Sequence, residues 1–141
     1  MKDSDLPYGI EFTRLKKISH PKGDIFHALK ASDTSFKGFG EAYFTTVNVG
    51  ETKGWKLHQK MVLNLVAILG EVKFHFCNGN SEEVYSFSIG SDNYGRLTVP
   101  AGIWVAFSGV GKDINLVLNL ASIEHDPNES INAPLERFSV N

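Results

Sequence analysis

Nine short segments, each apolar or alternating and each bounded by Gly, Pro, Asn or Asp clusters, recur along the chain. They run Asp24 to Ala28, Glu41 to Val47, Lys53 to His58, Asn64 to Leu69, Glu71 to Phe76, Val84 to Ile89, Gly95 to Val99, Trp104 to Ser108 and Asn115 to Leu120. That spacing reads as all-β. In "EVKFHF", Val72, Phe74 and Phe76 alternate with Lys73 and His75, and in "VYSFSIG" Tyr85, Phe87 and Ile89 alternate with Ser86 and Ser88. A period of two is that of half-buried strands. One stretch, "QKMVLNLVAIL", also admits a helix, because an unbroken apolar run carries no period; Asn64 and the closing Gly70 favour a buried strand. About ten strands in one domain spanning residues 1–141 form a sandwich or a barrel.

The 141 residues suffice to bury a core without disulfides or metal. A formal net charge of -2 offers no field to attract nucleic acid. The single cysteine, Cys77, has no partner for an internal disulfide, and "MKDSDLPYGIEFT" holds no apolar stretch resembling a signal peptide, so a cytoplasmic location is expected. The longest apolar run, Met61 to Leu69, is interrupted by Asn64 and is far short of the roughly 20 residues a helical membrane span needs. The polar, proline-marked end "SIEHDPNESINAPLERFSVN" reads as an irregular tail wrapped on the domain.

Two blocks, "VGETKGWKLHQKMVLNLVAILGEVKF" and, further along, "YGRLTVPAGIWVAFSG", resemble the paired signatures of the cupin superfamily. The fold this implies is a jelly-roll barrel (double-stranded β-helix). Within the superfamily, "GDIFHAL", "GFGEAYFTTV" and "KGWKLHQKM" resemble the RmlC-like proteins related to dTDP-4-dehydrorhamnose 3,5-epimerase and the dTDP-sugar 3,4-ketoisomerases. The resemblance covers Gly23 to Pro127. It implies a homodimer acting on a dTDP- or UDP-linked 4-keto hexose in bacterial surface-polysaccharide (lipopolysaccharide) synthesis.

Metal-binding cupins carry His-x-His, then a glutamate, then a histidine after a P-x-G turn. Lys56 occupies the first of these positions, His58 the second, Val62 or Leu63 the third and Val105 the last. One ligand of four remains, and a lysine ammonium repels a cation, so no metal and no cofactor is expected.

Isomerising a 4-keto sugar takes a base for the proton alpha to the ketone, a positive or donating group for the enolate oxygen, and an acid. On a strand, Lys56 and His58 point the same way. Histidine, with an ordinary pKa near 6.5, suits the base; Lys56 suits the enolate oxygen. The epimerases' base histidine aligns with Lys56, and their tyrosine acid lies in a stretch resembling "SIEHDP", where this chain has Glu124 and His125; His125 is the candidate replacement. His58 matches the second histidine of the ketoisomerase pattern.

Candidate substrate contacts are His27, Tyr43, Asn64, Lys73, Arg96 and Trp104. Tyr43 matches a tyrosine of the ketoisomerase pattern. His27 and His75 lie on alternating strands, each lining a cavity or half-exposed. Asn64 needs partners for its amide, whether from substrate or from the barrel. Trp104 offers an aromatic face for stacking, and Lys73 and Arg96 offer charge to a diphosphate. The alternative to an enzyme is a cupin module that binds a sugar or nucleotide sugar without turning it over.

Overall fold

The computed structural model describes residues 2–140. Its strands form two antiparallel sheets packed face to face, as expected of a jelly roll. The first sheet has the order β1 (Lys2–Asp5), β2 (Glu11–Arg14), β10 (Gly95–Val99), β7 (Leu63–Leu69), β12 (Leu116–Ala121) and β5 (Glu41–Thr46). The second runs β13 (Ser130–Asn132), β6 (Thr52–His58), β11 (Trp104–Gly109), β8 (Glu71–Cys77) and β9 (Tyr85–Gly90). A separate hairpin joins β3 (Lys17–Ile18) and β4 (Ile25–Phe26).

"QKMVLNLVAIL" is a strand, and its unbroken apolar character has a simple cause: β7 is central, and both of its faces are covered. Leu63, Leu65 and Ala67 enter the core between the sheets. Asn64 turns the other way, donating from its Nδ2 to the Ser35 carbonyl and accepting from Thr98 Oγ1. Phe12, Leu97, Val99, Phe74, Phe76 and Ile89 complete the core, alternating as the sequence alternates.

The C-terminal stretch is more ordered than an irregular tail. Ser130–Asn132 adds β13 to the second sheet, pairing Ser130 with His58 and Asn132 with Lys56. Beyond it, Leu135–Arg137 makes one 3-10 turn, and Phe138 packs edge-on to Trp55 at 5.2 Å. Trp55, Cys77, Ala106 and Phe138 form a second buried cluster on the outer face of that sheet. Among the described residues no helix is long and apolar enough to cross a membrane.

Candidate active site

A cavity of about 420 Å³ opens between the sheets where β5, β7 and β12 face β6, β8 and β11. The two walls differ chemically. From the second sheet come Lys53, Lys56 and His58 over Phe74, Val105 and Phe107; from the first come Tyr43, Thr45 and Asn119 beside Leu63, Leu65 and Val117. No carboxylate lines it among the described residues, so two lysines give the opening a positive field. Leu63 and Val105, at the metal-ligand positions of other cupins, line the cavity as apolar groups. Among the described residues no three His, Cys, Asp or Glu side chains sit together as a metal ion would require.

Strand alternation explains Lys56 and His58 on one wall, but not Lys53, three residues before Lys56. A bulge does. Opposite β11, Val105 pairs with Lys56 and Phe107 with Lys53, so β6 uses one residue more than its partner and returns Lys53 to the cavity side. Gly54 makes the bulge possible. Its φ is +149°, and a Cβ there would meet the Ala106 Cβ at 2.4 Å. Lys53 Nζ donates to the Thr46 carbonyl at 2.9 Å and lies 5.9 Å from the centre of the Phe107 ring.

His58 is oriented from behind. Its Nδ1 sits 2.8 Å from Glu129 Oε1, and the Glu129 side chain is only 2% exposed. The other oxygen, Oε2, accepts the backbone N–H groups of Lys60 and Met61, each at 2.9 Å. Burial pushes the Glu129 carboxyl upward, but the hydrogen bonds from His58 and from the Met61 and Lys60 N–H groups outweigh it and hold it at about 2. An ionised carboxylate only accepts. Nδ1 therefore carries a hydrogen, and in the neutral ring the lone pair lies on Nε2.

Of the residues singled out in sequence, Lys56, His58 and Tyr43 meet at this cavity, and the others lie elsewhere. His125 is exposed, with its backbone N–H donating to Glu41, and does not line the cavity. Asn64 is buried on the outer face of the first sheet, knitting β7 to β10 and the Ser35 segment. Arg96, 2% exposed, lies on that same outer face, donating to the Ala28 carbonyl and Ser35 Oγ with Asp33 at 3.5 Å; it pins the segment leading to β5. His27 lines a separate groove beside Arg96 and Asp33. Trp104 packs against Phe138 at 6.0 Å, outside the barrel. Lys73 lies on the strand face opposite Phe74, together with His75, whose ring nitrogens bond Ser86 and Ser108. For Asn64, Lys73, Arg96 and Trp104 the placement follows the pleat: each neighbours a core residue and so points away from the core.

Sequence reasoning missed Glu129, Lys53 and Asn119. Glu129 gave no local signal, since His58 lies 71 positions away. Gly54 inside a strand was the available sign of a bulge. Asn119, a polar residue in "LVLNLA", was as visible as Asn64.

The family model described as "FdtA: WxcM-like, C-terminal" matches residues 8–139. The chain belongs to the WxcM-like C-terminal family. No curated protein matches it. Among solved structures, a dTDP sugar isomerase from Desulfovibrio desulfuricans is 28% identical, with a TM-score of 0.87 over 92% of this chain and 87% of that one. QdtA, a sugar 3,4-ketoisomerase from Thermoanaerobacterium thermosaccharolyticum solved with TDP, is 21% identical, with a TM-score of 0.76 over 89% of each chain. The 3,5-epimerase RmlC from Legionella pneumophila, solved with dTDP-4-keto-L-rhamnose, is 12% identical, with a TM-score of 0.79 over 93% of this chain and 76% of that one. The last two share the jelly-roll fold of this WxcM-like chain.

Proposed function

We propose that this protein isomerises or epimerises a dTDP- or UDP-linked 4-keto hexose by moving the proton alpha to the ketone. The observation that carries the reading is the Glu129–His58 pair beside Lys56 in a cavity free of carboxylates among the described residues. His58 Nε2 takes the proton from the carbon next to the ketone. The C–H electron pair becomes the enolate double bond, and the carbonyl pair moves onto oxygen. Lys56 faces that charge as it develops, which lowers the barrier more than it stabilises the ground state. Returning the proton to the same carbon from the other face gives an epimer. Returning it to the former carbonyl carbon, while the neighbouring hydroxyl passes its own proton to the enolate oxygen, gives the 3,4-keto isomer. Tyr43, on the opposite wall, is the hydroxyl available to donate. Lys53, at the bulge, suits the diphosphate.

The family relationship and the 28% identity to a dTDP sugar isomerase support this substrate class. We place the protein in the cytoplasm as a homodimer serving surface-polysaccharide synthesis. The free buried thiol of Cys77 fits a reducing compartment. The test is to incubate the protein with dTDP-4-keto-6-deoxyglucose and identify the product by NMR. A changed configuration or a ketone at carbon 3 supports the proposal. Unchanged compound that nevertheless binds returns the binding-module reading, which the lysine at position 56 would then explain.

A further inference from the structure

The wall opposite His58 holds a buried acceptor that the protein leaves without a donor. Asn119 lies on β12 between Tyr43 of β5 and Leu65 of β7, and is 3% exposed. Its Nδ2 donates to Tyr43 Oη at 3.0 Å and lies 4.0 Å from Met61 Sδ, so both amide hydrogens have partners. Its Oδ1 has none. The oxygen and the nitrogen of each other buried asparagine amide have a partner. Asn64 donates to Ser35 and accepts from Thr98, and Asn115 accepts the N–H groups of Glu71 and Gly111 while donating to the carbonyls of Val47 and Gly111. An unpaired buried acceptor is destabilising and uncommon, and this one belongs to a residue lining the cavity.

We propose that Asn119 is a specificity-determining residue whose Oδ1 accepts a hydrogen bond from a hydroxyl of the sugar bound in the cavity. The inference rests on the nucleotide-sugar reading and adds a polarity to it. Because Nδ2 is engaged by Tyr43 and Met61, the Asn119 side chain offers the sugar acceptance only. A hydroxyl satisfies it, whereas a ketone oxygen at that wall would meet another acceptor. The ketone therefore faces Lys56 and His58, and a ring hydroxyl faces β12. A site that has buried an acceptor for one hydroxyl discriminates against the sugar lacking it, because the acceptor then stays unpaired.

The test is calorimetric titration of wild type and Asn119→Leu with dTDP, dTDP-quinovose, UDP-quinovose and the two monodeoxy analogues of dTDP-quinovose at carbon 2 and carbon 3. We expect dTDP to bind both proteins equally and dTDP-quinovose to bind the variant about tenfold more weakly than wild type. One monodeoxy analogue should lose the same factor on wild type and nothing further on the variant. The analogue arm uses wild type alone, so it decides the matter even if the leucine variant misfolds. If both analogues bind wild type as tightly as dTDP-quinovose does, the inference is overturned while the nucleotide-sugar reading stands. If wild type binds neither dTDP-quinovose nor UDP-quinovose, that reading falls and takes the inference with it.

Discussion

Glu129 decides which nitrogen of a neutral His58 ring carries the hydrogen. Its buried carboxylate holds Nδ1–H, which in the proposed mechanism leaves Nε2 of the neutral ring for the substrate and makes Glu129 a positioning residue. Glu129→Gln keeps the size of the side chain but its amide can donate to Nδ1, which permits the other tautomer. Alpha-proton exchange should slow by about 100-fold or more, with dTDP affinity unchanged and the pH profile of exchange displaced. Equal exchange rates would remove Glu129 from the mechanism. A second titrating residue acts on stability alone. Burial, reinforced by Lys73, pulls the His75 imidazole down to about 4 from 6.5. Its folded pKa lies below its unfolded value, so the stability it contributes is present above pH 6.5 and is lost as pH falls toward 4. Urea unfolding at pH 7 and pH 5 should show wild type losing about 2 kcal/mol more than His75→Gln over that interval. Parallel losses would contradict the assignment.

At the scale of elements, β6 carries the site through its bulge. Gly54→Ala would place a methyl 2.4 Å from the Ala106 Cβ, at a backbone φ that L residues rarely adopt. The bulge must shift, and Lys53 with it. The variant should unfold about 1–3 kcal/mol more easily and bind dTDP more weakly, measured by denaturant melts and calorimetry. Unchanged affinity would mean that Lys53 does not meet the nucleotide. The strands themselves were readable because alternation reports one covered face, as in "EVKFHF". On β7 that signal fails: both faces are covered, so the polarity of Asn64 marked burial but not direction. Period-two reasoning passed over Lys53 because one extra residue in β6 resets the pleat. β13 was hidden for a different reason. It is three residues long, polar, and held by pairing with β6, which is a long-range contact that no local pattern encodes.

For the whole molecule, the two sheets leave an edge at β5, where Phe44 is 64% exposed and the nearby Phe39 65%. An exposed edge with large apolar groups is a pairing surface, which supports the proposed homodimer. Sedimentation at micromolar concentration should give the mass of two chains, and Phe44→Glu should shift it toward one; a wild-type mass of one chain would contradict the dimer. The jelly roll was legible from the order of its strands and from family resemblance, whereas the chemistry depends on how the closed barrel brings β5 and β12 opposite β6. That juxtaposition puts His58 at the centre of the account. The direct measurement is exchange of the proton alpha to the ketone of dTDP-4-keto-6-deoxyglucose in deuterium oxide, followed by NMR for wild type and His58→Asn. Wild type should exchange that proton, and the variant should bind the nucleotide sugar without exchanging it. Exchange by the variant at the wild-type rate, or none by a wild type that binds the compound, would contradict the account.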